Sequence, residues 1–372
     1  MSRPASLLHP GGRNADKPLE MHVNDLLKIA AESGASDLHL KVGTSPMMRV
    51  RGALVPADKD ARLTHEDMVG MAAAVLPAGH REKFKENHEI DLAYSVAGLG
   101  RFRCNAFQQR GTIGLIFRVI PMRVSTIDDL ALPRVLKRIA AEERGLVLVT
   151  GTTGSGKTTT LAAMIDSINQ TQPCHIVTIE DPIEFVFKNK KAMINQREVG
   201  SDTHSFNQAL KHVLRQDPNV ILIGEMRDLE TIEIALTVAE TGHLVFATLH
   251  TPDSVQSINR IIDVFPAHQQ QQVRVQCSFV LQGVICQQLM PRIGGGLVLG
   301  AEILIATPAI RNLIRESKAH QIYSAIQMGQ REGMRTLNMS LAELVRLKKV
   351  SKEVAISRSS DVQELERLLA SK

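Results

Sequence analysis

Lys157 and Thr158 close a run of glycines and hydroxyl residues, Gly151-Thr152-Thr153-Gly154-Ser155-Gly156-Lys157-Thr158-Thr159, that fits the spacing G-x-x-x-x-G-K-[ST]. The spacing has a mechanical meaning. Glycines let successive backbone N–H groups turn inward around a polyphosphate, and a helix opening after them presents its positive dipole end to the same anion. In that arrangement Lys157 reaches the β- and γ-phosphates, and the Thr158 hydroxyl can ligate Mg²⁺. The context agrees: an apolar run from Leu146 to Val149 precedes the glycines, and a helical pattern follows them to Asn169. The chain is therefore expected to bind a nucleoside triphosphate.

Three further stretches carry groups that such a site needs at strand ends. Ile179-Glu180-Asp181-Pro182-Ile183-Glu184 crowds three carboxylates where a strand gives way to a proline; they can order metal-bound waters or the attacking water. Val220-Ile221-Leu222-Ile223-Gly224-Glu225 delivers one carboxylate at the tip of a buried strand. Position 223 is Ile where a Mg²⁺-holding Asp is usual in a Walker B element, so Glu225 suits polarising water better than holding metal. Metal coordination then leans on Thr158, phosphates and water. His243 and His250 bracket the apolar run Leu244–Leu249, one near each end, which separates them too far to share a metal. His250 is the better candidate to sense the γ-phosphate. Phosphoryl transfer also needs positive charge on its transition state, and Arg103, Arg118, Arg215 and Arg227 are the candidates.

The elements that position these groups fall into two parts. Asp25 to Ser33 reads as a helix with Asn24 as cap and Gly34 as stop. Alternation in Asp37–Leu40 and Met48–Arg51 reads as strands, and Thr64 with Asp67 resembles a capping box for a helix to Leu76. Strand patterns return at Ile90–Tyr94, Arg101–Arg110 and Gly114–Ile120. Residues 21–120 are expected to form a separate α+β domain, after a loose leader over residues 1–20. Residues 121–129 read as a linker. From residue 130 to 372 short apolar runs (146–149, 176–179, 220–223, 244–249) alternate with helical segments, the rhythm of βαβ units around a largely parallel sheet. Beyond Thr307 the chain turns helical, with amphipathic segments near 309–316, 337–347 and 361–369.

Bulk properties narrow the class. At 372 residues, 44% hydrophobic and 22% charged, the chain reads as an ordinary globular protein of two domains. No apolar run approaches the roughly 18 residues of a membrane helix. Cys104, Cys174, Cys277 and Cys286 are scattered without a C-x-x-C pair, as expected of reduced thiols in the cytosol. Net charge is only +5, with 3% aromatic residues and no Trp, a poor match to a nucleic-acid motor built on stacking and a basic stripe.

Taken together, GTTGSGKTTTLA, TIEDPIE, NVILIGEMRDLETI and TGHLVFATLHT resemble the Walker A, Asp box, Walker B and His box of the secretion and type IV pilus ATPases of the RecA-like superfamily. ASDLHLKVG at 35–43 resembles the signature of that family's N-terminal PAS-like domain. Ala309-Ile310-Arg311-Asn312-Leu313-Ile314-Arg315-Glu316 matches a motif of its retraction branch, which drives twitching motility. The longer N-terminal region and tetracysteine element usual in extension and type II secretion ATPases are not seen.

The resemblance implies an α/β protein, a PAS-like domain before a RecA-like ATPase domain with C-terminal helices. It implies a homo-hexameric ring that hydrolyses ATP with Mg²⁺ and depolymerises pili beside an inner-membrane platform protein, on the cytoplasmic face. By position it carries over Lys157 and Thr158 for nucleotide and Mg²⁺, Glu184 for the Asp box with metal reached through water, and Glu225 as catalytic glutamate. His243 and His250 become the His-box pair, with Arg103, Arg118, Arg215 and Arg227 as nucleotide-sensing arginines. A pilus-assembly or type II secretion ATPase is the nearest alternative, and a RecA-type nucleic-acid motor the next.

Overall fold

The computed structural model describes residues 22–58, 61–121 and 124–371. The expected leader over 1–20, and residues 122 and 123 of the expected linker, lie outside them. The chain divides into two compact units, one comprising Met1–Met122 with Glu184–Val186, the other Arg123–Ile183 with Phe187–Lys372.

The first unit runs α1 Val23–Glu32, β1 Asp37–Lys41, β2 Met47–Val50, β3 Ala53–Pro56, α2 His65–Val75, α3 Ala78–Asn87, β4 Glu89–Val96, β5 Gly100–Gln109 and β6 Thr112–Val119. Its strands form one six-stranded antiparallel sheet in the order β3-β2-β1-β6-β5-β4. Strand alternation sends Leu38, Leu40, Phe102, Cys104, Leu115 and Phe117 to one face, where they share a core with Leu26, Leu27, Met68 and Phe84 of the helices. The opposite face is polar and places Asp37, Arg118 and Arg103 side by side on β1, β6 and β5. The capping box of Thr64 and Asp67 forms as its spacing predicts. The helix expected at Asp25 starts earlier, at Val23. Its cap is His22, whose ring accepts from Asn24 while Asp25 reaches back to the His22 N–H, so Asn24 lies inside the helix.

The second unit runs α4 Val135–Ala140, β7 Gly145–Thr150, α5 Lys157–Thr171, β8 His175–Glu180, β9 Met193–Glu198, α6 Phe206–Val213, β10 Val220–Ile223, α7 Leu229–Glu240, β11 Leu244–Leu249, α8 Ser254–Asp263, α9 Ala267–Val280, β12 Leu281–Pro291 and β13 Leu297–Ile305. The helices α10 Pro308–Arg315, α11 Ile322–Met328, α12 Leu337–Arg346, α13 Lys352–Arg358 and α14 Val362–Ala370 complete it. Its seven-stranded sheet has the order β13-β12-β7-β11-β10-β8-β9, parallel throughout except for the β12–β13 hairpin. The central strands β7, β10 and β11 are buried at every residue, because helices cover both faces. Leu136, Leu161, Met164 and Ile168 of α4 and α5 fill one side. Leu210, Ile232, Ile258, Val273 and Ile310, from α6 to α10, fill the other.

Among the described residues no helix is long and apolar enough to cross a membrane. Four strands were not expected from the sequence, the short β3 of the first unit and three of the second. Polar residues interrupt β9 (Asn195, Gln196, Arg197) and β12 (Gln287, Gln288), and β13 follows three glycines and holds a buried glutamate, Glu302.

Candidate active site

The glycine run leaves β7 at Thr150 and enters α5 at Lys157, so the loop sits at the C-terminal edge of the sheet. Gly151 has a φ of +136°, and a Cβ there would stand 2.4 Å from the Gln287 carbonyl oxygen, so the loop must turn on glycine. Helix α5 begins without a capping side chain and without an acid in its first turn, which leaves its N-terminal N–H groups available to an anion. Lys157 Nζ donates to the carbonyls of Gly151 (2.7 Å) and Thr152 (3.1 Å), folding the ammonium over the loop. The Ser155 hydroxyl is buried in the turn with no hydrogen-bond partner. An inward polar atom, an uncapped helix start and a lysine over the loop fit a polyphosphate. Thr158, half-buried in the first turn of α5, is placed to offer its hydroxyl to a phosphate-bound cation.

Glu225 stands one residue beyond Gly224, at the end of β10. Gly224 fits a close approach here, since a Cβ would meet the Ile179 carbonyl at 3.2 Å and Glu180 Cα at 3.3 Å and the backbone of β8 would have to give way. The neighbouring strand pins this exit: Thr248 Oγ1 donates to the Gly224 carbonyl at 2.5 Å, and the Met226 N–H donates to the Thr248 carbonyl. The Glu225 carboxylate is then held from two sides, by Arg227 Nη2 at 2.8 Å on Oε2 and His250 Nε2 at 3.0 Å on Oε1. Burial pushes its pKa up. The Arg227 hydrogen bond and the charges of His250 and Arg227 outweigh that and keep it below the usual glutamate range. The result is an ionised carboxylate at the same C-terminal sheet edge as the phosphate loop, with β11 between its strand and β7, and with spare lone pairs for a water.

The remaining candidates divide by place. Strands β7 and β11 run parallel in register from Gly145 opposite Leu244 to Thr150 opposite Leu249. His243 therefore lies at the far edge of the sheet, roughly 17 Å of strand from the loop. Its Nδ1 lies 3.1 Å from Thr241 Oγ1 and 3.2 Å from the Val238 carbonyl. Arg215, exposed in the turn Leu214–Gln216 before β10, lies at that same far edge. Within this chain neither meets the phosphate loop. Glu180, one of the three crowded carboxylates, is buried and accepts from Thr178 Oγ1 (2.6 Å) and Gln196 Nε2 (3.2 Å), so it braces the strand and does not face solvent. Asp181 and Glu184 are exposed. Glu184 belongs to the first unit, with Arg103 and Arg118. These two arginines face each other across β5 and β6, and their ion partners are Asp91 (3.7 Å) and Asp37 (3.1 Å).

Sequence reasoning missed the floor of the site. Gln287, buried in β12, donates from Nε2 to Thr160 Oγ1 at 2.7 Å and sets its carbonyl against Gly151, so it supports the loop from beneath. A cavity of about 750 Å³ opens beside the loop, lined by Leu130, Leu132, Gly156, Thr159, Leu289 and Arg335 among others. Its walls mix apolar side chains with charged ones, Asp129, Arg134, Arg292, Glu343 and Lys349, so the cavity offers both apolar contact and polar partners to a bound group. No local motif marks these residues; their signal lies only in strand pairing that the polar sequence of β12 hides.

The chain as a whole resembles known proteins. The family model described as type II/IV secretion system protein matches residues 122–370. The type IV pilus retraction ATPase PilT of Pseudomonas aeruginosa is 51% identical over 335 residues, 90% of this chain and 97% of that protein. A twitching motility protein of Neisseria gonorrhoeae is 48% identical over 322 residues, 86% of each chain. Among solved structures, that of the pilus retraction motor PilT with bound ADP superimposes with a TM-score of 0.87 at 50% identity, covering 94% of this chain and all of that one.

Proposed function

Because the chain belongs to the type II/IV secretion system protein family, we propose that it is an ATP-hydrolysing motor driving type IV pilus retraction and twitching motility. The observation that carries this reading is the 51% identity to PilT through 97% of that protein's length. In this reading the turn Gly151–Thr159 cradles the phosphates of ATP, Lys157 contacts the β/γ-phosphates, and the adjoining cavity receives the nucleoside. The Thr158 hydroxyl, and Glu184 through water, would hold Mg²⁺, which would supply neutralisation of the phosphate charge. Glu225 orients the attacking water and takes its proton, and His250 and Arg227 hold that carboxylate ionised and aimed.

The same reading gives the first unit a PAS-like fold and makes the protein a homo-hexamer. Arg103 and Arg118 contribute charge to the nucleotide, whereas His243 and Arg215, at the far sheet edge, reach one only on a neighbouring subunit. A head-to-tail ring supplies such heterologous contacts. The ring works on the cytoplasmic face of the inner membrane, joined to it through a platform protein of the pilus machinery. Two measurements test this. Purified protein releases phosphate from ATP, and a deletion strain retains or gains pili while losing twitching. Loss of pili on deletion would instead make it an assembly motor, and a rate stimulated by DNA would revive a nucleic-acid motor.

A further inference from the structure

Glu302 is a buried carboxylate in the middle of β13, where its neighbours Ala301, Ile303 and Leu304 are all buried and apolar. A carboxylate in such a place costs stability unless something specific holds it. Its Oε1 accepts the backbone N–H of Ser254 at 2.8 Å, the first residue of α8. Burial pushes the Glu302 pKa up, and the hydrogen bonds from Ser254 oppose that rise without cancelling it.

What the contact holds is more than a helix end. Ser254 Oγ lies 3.6 Å from Cys286 Sγ, and Cys286 pairs with Thr150 on one side and Glu302 on the other. One turn on, Ser257 Oγ lies 2.7 Å from Thr251 Oγ1, 2.6 Å from the Asp253 carbonyl and 3.5 Å from Thr150 Oγ1. Thr251 follows His250, and Thr150 precedes Gly151. The first turn of α8 thus touches both the base of the phosphate loop and the residue next to His250. Thr150, Ser254 and Ser257 are fully buried, so these hydroxyls have only each other and their neighbours as partners.

We propose that Glu302 is a positioning residue for hydrolysis: through the Ser254 N–H it fixes the first turn of α8 and so keeps His250, which holds Glu225, in register with the phosphate loop. The proposal rests on the ATPase reading above. It makes Glu302 and Ser257 affect turnover and not nucleotide capture, because neither touches the loop's anion-facing side.

The test uses the full chain, with steady-state ATP hydrolysis, equilibrium binding of a fluorescent ATP analogue and thermal melting measured on the same samples. Glu302→Leu keeps the volume and removes the acceptor; Glu302→Gln keeps an acceptor; Ser257→Ala removes the hydroxyl link with little change of shape. Glu302→Leu is expected to lower kcat about tenfold or more, since small misplacements of catalytic groups carry such costs, while KM and analogue affinity stay within about twofold. Glu302→Gln should recover kcat to within about threefold of wild type, and Ser257→Ala should lower it by about threefold or more. Wild-type kcat in Glu302→Leu, or a kcat loss matched by lost binding or not rescued by Gln, would overturn the proposal. If Glu302→Leu does not fold, an unchanged kcat in Ser257→Ala overturns it instead. Absence of turnover in wild type would fail the ATPase reading, a different result from an active wild type with an equally active Glu302→Leu.

Discussion

His250 Nε2 stands 3.0 Å from Glu225 Oε1, so the residue that follows β11 holds the carboxylate that stands just past β10. Gln at position 225 would keep the shape and part of the hydrogen bonding but could not accept a proton. Glu225→Gln should therefore bind nucleotide as wild type does and lose kcat by at least roughly a hundredfold, the scale of general-base effects. Phosphate release and equilibrium binding on the same preparation check it. Wild-type turnover would move water activation elsewhere, with Glu184 the first suspect.

The same clasp sets a pH dependence. The Glu225 pKa is depressed in the folded protein by the Arg227 hydrogen bond and by the charges around it, against the upward push of burial. A depressed carboxylate contributes stability that is fully present above its unfolded value, about 4.3, and is lost as pH falls through the lower folded value. Arg227→Gln removes the largest of the lowering contacts. Its acid loss of activity should start at a higher pH than in wild type, measured as the acid limb of kcat. Superimposable limbs would mean another group controls that region.

Lys157→Ala removes the ammonium that folds over the loop onto Gly151 and Thr152. Nucleotide binding should disappear while the melting temperature without nucleotide changes little, because the side chain is only half-buried. Binding at wild-type affinity would show that backbone N–H groups suffice.

The parts of this site that could be read from sequence are those where local pattern and chemistry coincide. The runs Leu146–Val149 and Val220–Ile223 announce buried parallel strands because every residue is apolar, and the loop and Glu225 follow them directly. The pairing of Glu225 with His250 was not readable, since it depends on β10 and β11 lying side by side. Strand β12 was hidden by Gln287 and Gln288, although Gln287 is buried because Thr160 accepts its amide N–H. Nothing local in the sequence marks the burial of Glu302 or the inward bonding of Arg311, because the partners of both come from distant segments.

Arg103 and Arg118 oppose each other across β5 and β6, which places two guanidinium groups on one face. Their ion partners Asp91 and Asp37 lie on strands to either side, and both arginine side chains are well exposed. Exposed pairs of this kind contribute about 0–1 kcal/mol, and like charges directly opposite subtract from that. Arg103→Ala with Arg118→Ala should thus keep the first unit folded, with a stability change below about 1 kcal/mol per site in chemical denaturation. Hydrolysis should fall nonetheless if these charges serve the nucleotide. Unchanged turnover in a folded double variant would remove them from the cycle.

The last prediction concerns α10, where sequence spacing puts Ile310, Leu313 and Ile314 on one apolar stripe and Arg311 and Arg315, four apart, together on a different face. Ile310 and Ile314 are buried and Leu313 is half-buried against the same core, as their spacing predicts. Arg311 and Arg315, however, do not share a free charged face. Arg311 Nη1 donates to the carbonyls of Ser278 (2.8 Å) and Phe279 (2.5 Å), Nε to that of Ala306 (2.9 Å), and Nη2 to Gln282 Oε1 (2.9 Å). Two of these carbonyls belong to the last turn of α9, which has no further N–H groups of its own to satisfy them. A carboxylate at 311 would face the same oxygens, so Arg311→Glu should destabilise the protein by about 3 kcal/mol or more and cannot report on output separately from folding. Arg315 is exposed and donates to Asn312. Arg315→Glu should change stability by no more than about 0.5 kcal/mol. It is the variant that asks whether this helix presents charge to the pilus platform. Twitching and ATP hydrolysis measured together decide: retained ATPase with lost twitching assigns Arg315 to output, and normal twitching reduces its face to scaffold. Leu313→Ala should cost less than the roughly 2–5 kcal/mol of a fully buried deletion, a loss that belongs to Ile310→Ala and Ile314→Ala.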